Sequence, residues 1–191
     1  MDRKLLESRY NHLYKRIKSI DSDNENDCFY CGSLRDVYDH SSPLIVIESI
    51  HDFYHKNEYY LVPSCTYCNS LLQGSNTLSL YERAILAKER LFKKRKKIII
   101  SGLKWEFEEI YKLKGMLLTE VIKMKYLSYI LIKKLNFQHF MFYIKGDETK
   151  KSFFIANTSK KYEHLKEIIK HENEEKYINM FRTYIFNKIV F

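Results

Sequence analysis

Near the start of the chain, apolar residues recur at a spacing typical of a helix. Five of them follow one another at steps of four, three, four and three residues: Leu6, Tyr10, Leu13, Ile17 and Ile20. This spacing puts them on one face, so it predicts an amphipathic helix over residues 2–20. The following residues 21–27 are all polar and rich in Asp and Asn, which predicts a loop.

Two short stretches further along predict β-strands. The first covers residues 35–40 and ends at Asp39 and His40, and the second covers residues 59–63. Pro43 begins the segment between them, for which we expect a loop through about residue 57.

Two helices are expected after the second strand. Residues 65–73 predict a short helix that ends at Gly74. Ser79 and Glu82 then fit a capping box, so a second helix begins there and runs to about residue 97. It would finish in the five consecutive cations of residues 93–97. Such a run suits the negative end of a helix dipole and suits phosphate binding equally well.

The rest of the chain predicts mainly helix. Residues 104–135 have a helical pattern, and Gly115 divides it in two. Residues 140–144 and 153–156 flank a polar segment and predict a hairpin. Residues 160–190 again predict helix.

These elements predict an α+β fold that is mostly helical. With 191 residues the chain has room for one domain, or for one small domain and an extension. We expect residues 1–99 to contain the N-terminal helix and a small core. Residues 100–191 would form a mainly helical C-terminal region that supplies specificity, dimerisation or a surface for a protein partner.

The chain is basic, with a formal net charge of +9. Such a charge favours a polyanionic partner such as nucleic acid, although a soluble protein with a lysine-rich face has the same composition. The sequence starts with Met1-Asp2-Arg3-Lys4 and shows no apolar signal segment. No stretch approaches the roughly 18 uninterrupted apolar residues of a membrane span. We therefore expect a cytoplasmic protein without a membrane partner.

The cysteines give the strongest chemical signal. The chain has four, and all lie in two CxxC pairs, Cys28 with Cys31 and Cys65 with Cys68. In a reducing compartment this pattern indicates a metal site rather than disulfides. Four thiolates are the ligand set of a closed, structural zinc site, so we predict one Zn²⁺ per chain. The 33 residues between the pairs would form an insert whose two ends the zinc joins.

The order of residues in and around this insert resembles the HNH endonuclease family in its zinc-stapled form. A CxxC pair is followed by Asp-His with a Pro three residues after the His, and then by Val-Pro, a second CxxC pair and Asn. The residues that carry the resemblance are Cys28, Cys31, Asp39, His40, Pro43, Val62, Pro63, Cys65, Cys68 and Asn69. The similarity covers about residues 28–72 and, more loosely, the helix to residue 97.

The resemblance implies a ββα-metal core, in which two strands and a helix surround a catalytic divalent ion. His40 would be the general base, while Asp39 and Asn69 would hold Mg²⁺ or Mn²⁺. These residue types suit the chemistry, because His transfers protons near neutral pH and hard divalent ions prefer oxygen ligands. Neighbouring strand residues face opposite ways, so Asp39 and His40 can meet one ion only where the strand ends or bends.

The implied function is a metal-dependent endonuclease that hydrolyses phosphodiester bonds in DNA, with double-stranded DNA as the expected partner. A restriction enzyme, a nuclease of a phage or mobile element, and an effector of a defence system fit equally well. A possible homodimer or a protein partner would use the C-terminal region.

Two other functions stay open on the sequence. The first is a catalytically inactive zinc-stabilised module that binds nucleic acid or acts in regulation. Tyr60 favours it, because the family often has an orienting Asn at that position, and Asn57 lies nearby at a different spacing. The second is a protein-binding module that uses the helical C-terminal half. His51 and His55 could touch phosphate or metal, but a solvent-exposed loop position explains them more simply.

Overall fold

The computed structural model of the chain describes residues 2–19, 27–50, 59–77, 79–137, 141–144, 147–153, 162, 164–165, 175–180 and 182. Contacts between these residues divide the chain into two compact units. Unit 1 consists of Met1–Leu91 and Phe137–Asn157, and unit 2 consists of Phe92–Asn136 and Thr158–Phe191. Helices dominate and a small mixed sheet accompanies them, which confirms the predicted α+β class.

The described part of unit 1 combines helices with a sheet. Its elements are α1 (Arg3–Tyr10), β1 (Tyr14–Ser19), β2 (Val37–His40), α2 (Leu44–Ile50), β3 (Tyr59–Ser64), α3 (Thr66–Leu72), the beginning of α4 (Leu80–Leu103), β4 (Met141–Ile144) and β5 (Asp147–Phe153). The strands among the described residues form one sheet in the order β2-β3-β1-β4-β5. β1 pairs in parallel with β3, and the other neighbouring pairs are antiparallel. β2 and β3 confirm the two strands predicted near the two ends of the insert.

The predicted helix over residues 2–20 is wrong beyond Tyr10. α1 ends there, Asn11–Leu13 form a single 3-10 turn, and β1 follows. Tyr14 and Ile17 are both buried although a strand directs them to opposite faces of the sheet. Tyr14 packs with residues of α1, α2 and β3, whereas Ile17 packs with the cluster around the cysteines. An apolar step of three residues therefore fits a strand that is covered on both faces as well as it fits a helix.

The loop predicted to start at Pro43 contains a helix instead. α2 begins directly after Pro43, whose carbonyl accepts the N–H groups of Val46 and Ile47 at 2.8 and 3.1 Å. A proline suits this place because the first turn of a helix needs no N–H from it. Leu44 and Ile47 are buried with residues of α1 and β3, which stabilises the helix. Residues 51–58 lie outside the described part of the chain.

The two helices predicted after the second strand are present as α3 and α4. Cys65 is the N-cap of α3, and the Oγ of Ser79 accepts the N–H of Glu82 at 3.1 Å at the start of α4. α4 continues to Leu103, however, rather than ending near residue 97. The basic run 93–97 therefore lies inside the helix, more than a turn before its end, so the helix dipole does not explain it.

Unit 2 is helical in its described residues. It contains the end of α4, α5 (Phe107–Ile110), α6 (Gly115–Asn136) and a helical segment at 175–180. Gly115 has a φ of +60° and begins α6, which confirms the predicted break. Phe107 and Tyr177 are buried in the core between these helices. The remainder of the helix predicted for 160–190 lies mostly outside the described residues.

A hairpin of β4 and β5 is present, but β5 covers the segment predicted as the polar turn and shares only Phe153 with the predicted second strand, 153–156, whose other residues lie outside the described part of the chain. β4 pairs with β1, with Ile17 opposite Ile144. The hairpin therefore belongs to unit 1, and the compact units do not coincide with a boundary between residues 99 and 100. Among the described residues, no helix combines the length and the apolar character that crossing a bilayer requires.

Candidate metal centre and adjoining cavity

The four cysteines lie close together in unit 1. Their sulfur atoms are all within 4.8 Å of one another, and those of Cys31 and Cys65 are 3.8 Å apart. Four thiolates around zinc, at Zn–S distances of about 2.3 Å, form a tetrahedron with edges of about 3.8 Å. The cluster therefore fits one tetrahedral metal ion such as zinc.

Local backbone geometry brings each CxxC pair into this cluster. After Cys28, Gly32 has a φ of +68° and donates its N–H to the Cys28 carbonyl at 2.9 Å. A Cβ added at Gly32 would lie 2.4 Å from the ring of Phe137, so only glycine fits this turn. In the second pair, the Sγ of Cys65 accepts the N–H of Cys68 at 3.4 Å at the start of α3.

The electrostatics of the cluster favour the thiolate, the form that binds zinc, at Cys31 and Cys65, whereas hydrogen bonding within the cluster raises the pKa values of Cys28 and Cys68. Hydrogen bonding to Cys28 lowers the pKa of Cys65 to about 6 and also lowers the pKa of Cys31. Lys88 is buried nearby, and its Nζ donates to the carbonyl of Phe137. Burial lowers the pKa of Lys88 to about 8, and the negative charge of nearby cysteines opposes that shift. A cation within reach of the cluster reduces the repulsion between its thiolates.

A cavity of about 220 Å³ in unit 1 is bordered by all three residues predicted to form the catalytic site. Asp39 and His40 reach it from the end of β2, and Asn69 reaches it from α3. Arg83 of α4 also borders the cavity. β2 includes both Asp39 and His40, so the strand does not end between them, and the two side chains have different partners.

His40 is oriented by the segment that follows α1. Its Nε2 is 3.1 Å from Oδ1 of Asn11, and its ring packs edge-on against Tyr14 with centroids 4.6 Å apart. A carbonyl oxygen only accepts, so this hydrogen bond requires the proton on Nε2, and the neutral ring then carries its lone pair on Nδ1. Asn11 thus orients His40, the role that the resemblance gives to an Asn at the position of Tyr60.

Asp39 forms a buried ion pair with Arg83. Arg83 donates from Nε to Oδ2 at 2.7 Å and from Nη2 to Oδ1 at 2.8 Å, so the pair is bidentate. The hydroxyl of Tyr30 donates to Oδ2 at 2.5 Å. Asp39 is only 3% exposed, and its partners are buried as deeply. Both carboxylate oxygens therefore have donors from within the protein.

Arg83 and Tyr30 are held in the protonation states that this network needs. Burial alone lowers the pKa of Arg83, but the hydrogen bonds and charge of Asp39 outweigh it and leave the pKa raised. Burial and the adjacent carboxylate raise the pKa of Tyr30, so its hydroxyl stays a donor. Arg83 also donates from Nη1 to the Oγ of Ser75 at 2.8 Å and to Oγ1 of Thr77 at 3.3 Å.

The other predicted site residues have simpler surroundings. Asn69 is partly exposed, and its backbone N–H donates to the carbonyl of Cys65 at 3.0 Å. Tyr60 does not border the cavity; its backbone pairs with Ser41, and its side chain packs against the core around the cysteines. His51, His55 and Asn57 lie outside the described residues.

No local sequence pattern indicates Arg83, Tyr30 or Asn11. Arg83 lies 44 positions from Asp39, and Asn11 lies 29 positions from His40, so the fold alone brings each pair together. Only the place of Tyr30 inside the first CxxC pair could have drawn attention to it.

Comparisons with protein-family models, with curated proteins and with solved structures found no match to this chain.

Proposed function

We propose that this chain is an endonuclease of the HNH type, a phosphodiester hydrolase acting on DNA with His40 as the general base. The observation that carries the proposal is the pairing of His40 with Asn11 at a cavity that Asn69 also borders. The four-cysteine cluster, which fits zinc, supports it because Asn69 directly follows Cys68 and is fixed with it.

In the proposed reaction, Nδ1 of His40 accepts a proton from a water molecule. The water oxygen forms a bond to phosphorus while the bond from phosphorus to the leaving ester oxygen breaks, the leaving oxygen takes a proton from solvent, and His40 returns its proton to solvent afterwards. Asn11 contributes by holding the ring proton on Nε2, which leaves the lone pair on Nδ1. The amide of Asn69, which borders the same cavity, would contact a phosphate oxygen.

The Mg²⁺ or Mn²⁺ ion implied by the resemblance does not fit the arrangement of Asp39. Both of its oxygens already accept from a guanidinium, and its carboxylate is buried. Among the described residues, the four cysteines are the one group of three or more His, Cys, Asp or Glu side chains that lie close enough to share a metal ion, and Asp39 belongs to no such group. The proposed reaction therefore has no step that runs through a divalent ion.

Binding to DNA is supported by charge. The chain carries a net charge of +9, and four of the five cations at 93–97 are exposed on α4. Because the helix continues past this run, helix-dipole stabilisation does not account for it, and contact with phosphates becomes the stronger explanation. Binding through such contacts should weaken steeply as the salt concentration rises.

A second candidate function is a zinc-stabilised module without catalysis. The ion pair between Asp39 and Arg83 favours this function, because a carboxylate that is paired with Arg83 is not available to bind a catalytic ion in the cavity. Exposed apolar side chains in unit 2 favour a protein partner or a second copy as its ligand. The most exposed of these are Tyr111, Met116 and Leu117, at 69, 83 and 56%.

The test is cleavage of supercoiled plasmid DNA by the purified full chain, with Mg²⁺, with Mn²⁺ and with EDTA. We expect nicking by the wild type and by His164→Ala, which changes an exposed histidine in unit 2. Nicking should be lost in His40→Ala. Equal nicking by His40→Ala would reject His40 as the base, and DNA binding without nicking by the wild type would favour the second candidate.

A further inference from the structure

We infer that Arg83 is a positioning residue that occupies the carboxylate of Asp39, so that Asp39 binds no divalent cation in the folded protein. What this implies for catalysis rests on the proposed function. Two parallel N–H···O bonds, of 2.7 and 2.8 Å, join the guanidinium to both oxygens of Asp39.

A divalent ion and Arg83 compete for the same oxygens. A magnesium ion needs an oxygen at about 2.0–2.1 Å in near-octahedral geometry and usually keeps several waters. At Asp39 it would approach a fixed positive charge, and repulsion at such short range in a buried site is strong. The hydroxyl of Tyr30 takes a further lone pair of Oδ2 at 2.5 Å.

Burial also opposes a hydrated ion at this carboxylate. Asp39, Arg83 and Tyr30 are 3%, 4% and 1% exposed. A partly hydrated cation would need space on the carboxylate that these side chains fill. The ion pair, by contrast, satisfies the charges without water, as buried charges require.

The guanidinium is held in place from its other side too. Its Nη1 donates to Ser75 and Thr77, and the Oγ of Ser75 in turn donates to the carbonyl of Leu72 at 2.7 Å. Displacing Arg83 would therefore break bonds to the segment after α3 as well as to β2. Since His40 follows Asp39 directly, this network fixes the end of β2 on which the proposed base stands.

The test measures Mn²⁺ binding to the zinc-loaded full chain by electron paramagnetic resonance. The wild type and Asp39→Asn should bind Mn²⁺ equally weakly. Arg83→Met should bind one Mn²⁺ at least about tenfold more tightly, because the competing cation is gone. The double variant Arg83→Met/Asp39→Asn should lose that gain, and Arg83→Lys should retain wild-type behaviour because it keeps the charge.

The matched control is Arg90→Met. Arg90 lies two turns further along α4 and donates to the carbonyls of Leu71 and Gln73 instead of to a carboxylate. Its loss should leave Mn²⁺ binding unchanged. A gain as large in Arg90→Met as in Arg83→Met would overturn the inference, since it would reflect general loosening.

The inference is also overturned if the wild type binds one Mn²⁺ that Asp39→Asn removes. That comparison decides the question even where Arg83→Met fails to fold. A different result would reject the proposed function. If the wild type neither cleaves DNA nor binds Mn²⁺, the chain is not the proposed hydrolase, but the inference about the ion pair between Arg83 and Asp39 still holds. If DNA cleavage depends on His40 and Mn²⁺ also binds to Asp39, the inference about Asp39 is rejected, but the proposed hydrolase function still holds.

Discussion

Replacing Cys65 by Ser should destabilise unit 1 by removing one of four metal ligands. Cys65 is the most suitable of the four, because it is partly exposed whereas Cys28, Cys31 and Cys68 are buried at 0, 5 and 2%. Serine has nearly the same size as cysteine, so the change alters core packing little. The loss of stability therefore reports on the metal.

The magnitude follows from the ligand count. Structural zinc contributes about 10–16 kcal/mol in small zinc peptides, so one ligand of four corresponds to roughly 2.5–4 kcal/mol. In a chain of this size 1 kcal/mol shifts Tm by roughly 2–4 °C, so the unfolding transition of unit 1 should fall by about 5–16 °C. Such a loss is a large part of the roughly 5–15 kcal/mol that stabilises an ordinary domain.

Scanning calorimetry with zinc analysis of the same samples measures both quantities. The wild type should contain one zinc per chain, and Cys65→Ser less. The control is the wild type stripped by a strong chelator, whose transition should fall to or below that of the variant. If the wild type carries no metal, resists the chelator and melts together with the variant, the zinc interpretation of the cluster is refuted.

Two further predictions concern the orientation of His40 and the turn after the first CxxC pair. Asn11→Leu should lower the cleavage rate by about 10–100-fold, a part of the roughly 10²–10⁴ that a general base contributes. The Tm of this variant should stay unchanged because Asn11 is exposed. An unaltered rate of plasmid nicking would show that Asn11 does not orient His40 for catalysis. Gly32→Ala should cost about 1–3 kcal/mol from its positive φ, and more from the clash with Phe137. Gly74 has a φ of +70° and open space around it, so Gly74→Ala measures the cost of the positive φ alone in thermal melts. An equal loss of stability in Gly32→Ala and Gly74→Ala would contradict the clash with Phe137.

Local signals predicted much of unit 1. The CxxC pairs indicated the four-cysteine cluster because ligand type and spacing are sufficient for such a site. The two strands within the insert and the cap at Ser79 could also be predicted, since each depends on a few adjacent residues.

What could not be predicted depends on partners distant in sequence. β1 is a strand because β3 and β4 pair with it on either side, and the apolar spacing of Tyr14 and Ile17 does not reveal that. The motif places Asp39 and His40 side by side, but their partners Arg83 and Asn11 come from helix and turn positions that have no signature of their own. The motif therefore brought Asp39, His40 and Asn69 together at the cavity, but it indicated neither Arg83 beside them nor the arrangement of their hydrogen bonds.

Chemical rescue is the most direct test of the central claim, that the imidazole of His40 removes the proton from the attacking water. The measurement is the rate of plasmid nicking by His40→Gly with increasing concentrations of free imidazole, at constant zinc content. We expect the rate to rise with imidazole and to saturate, while the wild-type rate stays constant. A variant that nicks as fast as the wild type without imidazole would contradict the claim, and so would one that imidazole does not restore while the wild type remains active.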